Sequence, residues 1–338
     1  MLQQSDMRMS VMSKDAIRLC VKQQEYLDRP DLLQRLYLHH KGFTEIQNLD
    51  NFINVKVLFL ESNLLTKIEN LHTLKHLEVL HLQNNFIEKI ENLQHLTKLK
   101  YLNLGQNAIS KIEELESLSC LETLIISENE LSMADFITQI MSIPQLRELD
   151  LSMNKINCNP ESILCILSQC KSLRVLNLEG NMFVKDNKMP HYRKMVISHC
   201  RKLRQLDGRR ICSEERRRCD AWGAVILSGG SFDEANEADR QELLQIRLER
   251  SEKNAEIRRI RSSHSSSNSD RSKGSIGSSV FEGMKRTFGV LDSRTSSSSE
   301  LSHSTWSSYR NFDFEAEESC EDLKSASRVS SNSPRGID

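Results

Sequence analysis

The sequence predicts an α/β solenoid, in which short parallel strands stack side by side and a turn or helix returns the chain from each strand to the next. Three observations carry this. The 338 residues are self-similar at a fixed period: Asn63, Asn85, Asn107 and Asn129 stand 22 residues apart, and Asn154 and Asn181 follow after units of 25 and 27 residues. Each asparagine closes the same apolar pattern, seen at Leu77, Leu80 and Leu82, at Leu99, Leu102 and Leu104, and at Leu121, Leu124 and Ile126. Within each pattern the last two apolar positions alternate with a residue of another kind, the signature of a strand with one buried face.

The spacing has a physical reason. In Leu58-Phe59-Leu60 a period of two sends both leucines into the core and turns Val57, Phe59 and Glu61 to the opposite face. The chain must then turn between stacked coils, where water cannot reach its backbone donors and acceptors. One amide side chain per unit, with both donor and acceptor capacity, bridges these groups between neighbouring loops. The expected ladder is Asn63, Asn85, Asn107, Asn129, Asn154 and Asn181. An earlier unit opens at Val55, and a degenerate one at Leu33, Leu36 and Leu38 has Lys41 in the asparagine's place. This unit, a strand plus a short return, is the leucine-rich repeat.

The returns carry Ile46-Gln47-Asn48-Leu49, Ile68-Glu69-Asn70-Leu71, Ile90-Glu91-Asn92-Leu93 and Ile112-Glu113-Glu114-Leu115, short enough for 3₁₀ turns. The longer units leave room for helices over residues 132–142 and 161–169, with Ile163, Ile166 and Leu167 on one face of the second. Solenoid ends need closing. A helix over 14–26, with Ile17, Cys20 and Val21 on one stripe and a stop at Arg29-Pro30, caps the front. Tyr192-Arg193 through Leu203, Leu206 and Asp207-Gly208 closes the back.

The expected divisions are residues 1–31 for the N-terminal segment and cap, 32–186 for the repeats, 187–212 for the C-terminal cap, 213–261 for a charged helical extension and 262–338 for a disordered serine-rich tail. In the extension the helix runs from Asp239 to about Arg261. Its stripe of Leu244, Leu248, Ile257 and Ile260 is too thin for a coiled coil, so it stands alone or packs on a partner. Tracts such as Ser265-Ser266-Ser267 and Ser296-Ser297-Ser298-Ser299 bury too little surface to offset their conformational entropy. Trp306, Tyr309, Phe312 and Phe314, followed by Glu315, Glu317 and Glu318, read as chance in a biased tract or as a short motif that orders on binding.

Composition narrows the function classes. Lys plus Arg number 46 and Asp plus Glu 47, a net charge of -1 that gives no global argument for nucleic acid or membrane. No apolar run approaches a membrane span and the start lacks the apolar core of a signal peptide, so a cytosolic or other reducing compartment is expected. Nine cysteines without a CxxC pair fit reduced thiols better than disulfides or zinc. Cys120, Cys165, Cys170 and Cys200 are read as small core residues and His39, His72, His76, His81 and His95 as surface ones. Residues 193–218 hold ten basic and three acidic side chains, a solvated cap surface or a docking site for an acidic partner. Dinucleotide, P-loop, nucleophile-elbow and zinc-protease signatures are all missing, so no catalytic residue, cofactor or metal is assigned.

The informative surface is the concave face lined by the strands. Its outward positions read Tyr37, Val57, Phe59, Val79, His81, Tyr101 and Ile125 over the early coils, then Glu148, Asp150 and Glu179 over the late ones. An aromatic and aliphatic path ending in acid, lined up about 5 Å apart on adjacent strands, suits a protein partner. The alternative is that a terminal segment of the chain folds back over it.

The units with Lys67-Ile68-Glu69-Asn70-Leu71 and Lys89-Ile90-Glu91-Asn92-Leu93 resemble the SDS22-like class of leucine-rich repeats. Within it, Leu36-Tyr37-Leu38-His39-His40-Lys41-Gly42-Phe43 before Ile46-Gln47-Asn48-Leu49, the lead-in Ser13-Lys14-Asp15, the cap at Tyr192-Arg193 and Leu206-Asp207, and Ala221-Trp222 resemble the axonemal dynein assembly factor family. The likeness covers roughly residues 13–261. It implies a monomeric, non-enzymatic cytoplasmic factor that contacts dynein chains or assembly chaperones before dynein arms enter cilia or flagella. The repeats equally suggest a regulatory subunit bound to a serine/threonine phosphatase catalytic subunit; a structural component of the axoneme or centrosome is the third reading.

Overall fold

The computed structural model describes residues 11–23, 29–132, 137–157, 160–185 and 189–266, all within the first of the two units into which the chain divides, Met1–Ser267. Residues 262–266, expected to open the disordered serine-rich tail, are helical, and the rest of that tail with its Trp306–Phe314 aromatic cluster lies outside the described residues.

Nine short strands form one sheet in chain order: β1 (Arg35–Tyr37), β2 (Val57–Phe59), β3 (Val79–His81), β4 (Tyr101–Asn103), β5 (Thr123–Ile125), β6 (Glu148–Asp150), β7 (Val175–Asn177), β8 (Gln205–Leu206) and β9 (Arg209–Arg210). The first eight pair parallel and the last pair is antiparallel. The register stacks Leu36, Leu58, Leu80, Leu102, Leu124, Leu149, Leu176 and Leu206 in one line, every one fully buried. Sequential parallel pairing needs a return path for each strand, and the 22-residue period supplies it.

The returns are tandem single turns rather than continuous 3₁₀ helices. In one coil the Leu74 amide donates to the Leu71 carbonyl (3.0 Å) and the Leu77 amide to Leu74 (3.0 Å); Leu93, Leu96 and Leu99 repeat the pattern. Each leucine is buried, so every turn delivers one apolar side chain to the core. Of the two helices expected in the longer units, α2 (Ile137–Ile140) is short, with residues 133–136 outside the described set, and α3 (Pro160–Gln169) is full length.

The core closes at both ends. At the front, α1 (Lys14–Gln23) buries Ile17, Cys20 and Val21, and its first turn is capped by Ser13, whose Oγ accepts from the Ala16 amide (3.1 Å). At the back, α4 (Met182–Lys185) and α5 (Tyr192–His199) lead into an antiparallel pair, α6 (Ser213–Leu227) and α7 (Phe232–Ser266). The helix expected either to stand alone or to pack on a partner packs instead on α6 of the same chain. Helix α7 begins at Phe232 and packs on α6 through buried Ala235, Asp239 and Ile246, whereas Leu244 and Leu248 face solvent. Its start is a capping box: the Glu234 carboxylate accepts from the Ser231 amide (2.9 Å) and Ser231 Oγ from the Glu234 amide (3.3 Å).

Burial corrects the reading of two cysteines. Cys200 is in the core, as are Cys20 and Cys219, and Cys170 is half-buried, but Cys120 and Cys165 are exposed. Cys120 occupies a polar turn position between buried Leu118 and Leu121, and Cys165 the outer side of α3, whose inner face carries Ile163, Leu164 and Leu167.

Candidate functional site on the strand face

The asparagines fix the coils that display the site. Asn85 Oδ1 accepts from the Leu65 amide of the preceding coil (3.1 Å), while Nδ2 donates to the carbonyls of Leu60 (3.1 Å) and Leu82 (3.0 Å). The same pattern recurs at Asn63, Asn107, Asn129, Asn154 and Asn181, each amide tying its own loop to the one before. In the last coil an aspartate side chain stands in for a strand carbonyl: Asp207 Oδ1 accepts from the Leu178 amide (2.9 Å), where the Leu151 amide one coil earlier donates to the Asn177 carbonyl. The residue before each ladder asparagine has positive φ, at Ser62, Asn84, Gln106, Glu128, Met153 and Gly180.

A second amide series supports the opposite side of the coils. Asn48, Asn70 and Asn92 have φ of 60°, 55° and 61°, the left-handed region that Asn tolerates better than most residues. Their Nδ2 atoms donate to the carbonyls of Met12 (2.8 Å), Ile46 (2.6 Å) and Ile68 (2.7 Å). The Ile-x-Asn-Leu repeat announces these positions, although an apolar reading of that repeat passes over the amide.

Held this way, the strand face carries two rows of side chains. Register puts Tyr37, Phe59, His81, Asn103, Ile125, Asp150 and Asn177 in one, and Arg35, Val57, Val79, Tyr101, Thr123, Glu148 and Val175 in the other. Arg35, Asn103, Thr123, Val175 and Asn177 complete the rows and were not singled out from the sequence. Glu179 is not on β7; it lies two residues past the strand, because Val175 and Asn177 are the residues that register with Glu148 and Asp150.

The first row opens with a ladder of rings. Tyr37 and Phe59 stack with centroids 4.5 Å apart and planes 6° from parallel. Phe59 and His81 stack at 4.8 Å and 4°. Tyr101, from the neighbouring row, leans onto His81 at 5.1 Å and 47°. Strand spacing and ring-stacking distance nearly coincide, so identical register on adjacent strands produces the stack without adjustment. His81 is therefore no ordinary surface histidine. Burial between two rings lowers its pKa to about 4, and burial pushes the Tyr101 hydroxyl up to about 12, so both are neutral near pH 7. Beside them Glu61 is raised by burial, and its Oε1 is 3.7 Å from His39 Nδ1.

At the acidic end Asp150 is engaged within the chain. Asp150 Oδ1 accepts from the amide and hydroxyl of Ser152 (2.9 and 2.6 Å) and Oδ2 from Asn177 Nδ2 (3.2 Å). Among the described residues no group of three or more His, Cys, Asp or Glu side chains could hold a metal, and no helix is long and apolar enough to cross a membrane. The surface consists of the edges of stacked rings with a carboxylate margin.

Known proteins carry the same pattern. The family described as Leucine Rich repeats (2 copies) matches residues 53–95 and 75–119. Leucine-rich repeat-containing protein ODA7 of Chlamydomonas reinhardtii is 48% identical over 240 residues, 71% of this chain and 53% of that protein. Dynein axonemal assembly factor 1 of Homo sapiens is 54% identical over 231 residues, 68% of this chain and 31% of that protein. The chain thus spans about half the length of the first and a third of the second. Among solved structures, a Listeria monocytogenes internalin has a TM-score of 0.44 at 23% identity, covering 52% of this chain and 47% of that one. A Leptospira interrogans leucine-rich repeat protein has 0.44 at 26%, covering 58% and 45%. The repeat register and the amide ladders make the chain a leucine-rich repeat solenoid, and over about 70% of its length it is similar to the proteins named ODA7 and dynein axonemal assembly factor 1.

Proposed function

We propose that this chain is a non-enzymatic scaffold that works in the cytoplasm in the preassembly of axonemal dynein arms for cilia or flagella, holding a protein partner on its strand face. The observation that supports this is the ladder of Tyr37, Phe59, His81 and Tyr101, already stacked before any partner arrives. Rings fixed in advance lose little conformational entropy on binding, and neutral aromatic surface is what interface anchors are made of. Glu148, Asp150 and Glu179 beyond the ladder give the partner segment a direction, apolar at one end and basic at the other. The partner class in this reading is dynein chains or the chaperones that assemble them, and the name dynein axonemal assembly factor 1 carried by one relative supports the first of these.

The test is recovery of dynein chains from an extract of cells building motile cilia, with the full chain as bait. Phe59→Ala with Tyr101→Ala should abolish recovery while leaving the circular dichroism spectrum unchanged. Undiminished recovery would overturn the assignment of the strand face. Recovery of a serine/threonine phosphatase catalytic subunit in place of dynein would transfer the same face to phosphatase regulation.

A further inference from the structure

Apart from Arg209 and Arg210, which form β9, the structure divides the basic run of residues 193–218 into two groups. One group knits the back end together. Arg193 pairs with Glu215 (2.6 Å), Lys194 and Arg218 converge on Asp239 (2.8 and 2.7 Å), and Arg217 pairs with Glu242 and Glu249 (both 2.7 Å). Arg216 donates to the carbonyls of Ile197, Cys200 and Leu203. The other group, Arg201, Lys202 and Arg204, stays exposed and joins cations from distant parts of the sequence.

The residue that enters each strand occupies one rung of a rim: Lys56, Glu78, Lys100, Glu122, Arg147, Arg174 and Arg204. Each amide from Glu78 onward donates to the carbonyl of the rung before it, at 2.7 or 2.8 Å. Side chains on neighbouring rungs meet, since Lys100 Nζ lies 2.7 Å from Glu78 and Arg147 Nη1 lies 3.2 Å from Glu122. Charge alternates along the rim as far as Arg147 and then stops alternating. Arg174 and Arg204 follow, with Lys171 and Lys202 in the turns just before them, and all four are exposed without a carboxylate partner among the described residues. The nearby acids are already committed, Glu122 to Arg147 and Asp220 to Arg216. Like charges on adjacent rungs oppose folding slightly, whereas the pairing used earlier along the same rim favours it. Fold stability therefore gives no reason for this arrangement.

We infer that the rim formed by Arg147, Lys171, Arg174, Arg201, Lys202 and Arg204 is a second docking surface, for an acidic segment of a partner polypeptide rich in Asp and Glu. Charge complementarity identifies the occupant. A nucleic acid fits poorly, because no ring stands among these cations to stack a base and three rungs span only about 10 Å, room for two or three phosphates. The rim lies along the strand entries, apart from the aromatic ladder, so both surfaces can be occupied together.

Fluorescence anisotropy of the full chain with a fluorescein-labelled peptide of ten alternating Asp and Glu residues tests this. Binding should weaken as salt rises. Joint Arg174→Glu, Lys202→Glu and Arg204→Glu should cost about tenfold in affinity, and the corresponding Gln changes less, with circular dichroism unchanged. Joint Lys67→Glu, Lys89→Glu and Lys111→Glu, an equal charge change on exposed residues of other coils, should leave affinity close to that of the parent. Three results would overturn the inference: unaltered affinity in the rim variant, equal losses in both sets, or tighter binding of a single-stranded oligonucleotide through the same arginines.

Discussion

Two amide series, one near each end of the coil, satisfy backbone groups that stacking removes from water, and single substitutions separate their contributions. Asn85 is 6% exposed, and its truncation strands the Leu65 amide and the carbonyls of Leu60 and Leu82. Asn85→Ala should cost about 1 to 3 kcal/mol in a urea melt, the penalty for leaving buried partners unpaired. Glu114 is the opposite case. It sits at φ 56°, one period beyond Asn92, where a glutamate interrupts the second series. Glu114→Asn should therefore raise stability by about 0.5 to 1 kcal/mol, since Asn tolerates the left-handed region and its amide can reach Ile90. His81 gives a pH signature. Its pKa falls from 6.5 to about 4 in the folded state, so the unfolded chain takes up a proton that the folded chain refuses over that interval. Stability should fall as pH drops from 6.5 to 4 and lose nothing further from this residue below that. Thermal melts of His81→Phe, which keeps a ring in the stack, should show a shallower slope across the same window. The residue types of the ladders were legible because a fixed period repeats them; the His81 shift was not, because burial between rings belongs to three strands at once.

Strands of three residues are too short to persist alone, and their existence depends on neighbours of the same register. Alternation identified them because each has one residue fully buried between two partly buried ones. Helices α6 and α7 were harder to read. Their contact is carried by Trp222, which is fully buried, donates to Asn236 Oδ1 (3.1 Å) and faces Phe232, and by the ion pairs on Asp239. Helix α6 has no clean apolar stripe, since its first turns are Ser-Glu-Glu-Arg-Arg-Arg, so periodicity gave little to find. The start of α7 did have a signal, the Ser231-x-x-Glu234 capping box, which places it seven residues ahead of where the apolar spacing alone puts it. Helices α5 and α6 approach closely at Gly223, where an added Cβ would stand 2.3 Å from Ser198 Cβ on α5. Gly223→Ala should force α5 and α6 apart and lower stability by about 1 to 3 kcal/mol in thermal unfolding, despite alanine's better helix propensity.

In the molecule as a whole each coil touches its neighbours, so stability is close to a sum of repeat terms and interface terms, and exposed ends are costly. The α6–α7 pair covers α5, whose Val196 and Ile197 are fully buried. A chain truncated after Ile211 should melt earlier and self-associate on size-exclusion chromatography, while a chain truncated after Ser266 should keep the melting temperature of the parent. A truncation after Ile211 that melted like the parent would show that the pair adds nothing to the solenoid. What the sequence by itself determined was the solenoid, its register, the buried leucines and the amide ladder, because all four follow from a local period read against the two-residue alternation of a strand. What only the tertiary structure decided was which side chains of adjacent coils share an environment: the ring stack that neutralises His81, the Lys194 and Arg218 clasp on Asp239, and the rim that gathers Arg147, Arg174 and Arg204. These depend on residues 20 to 45 positions apart becoming neighbours, and no local period contains that distance.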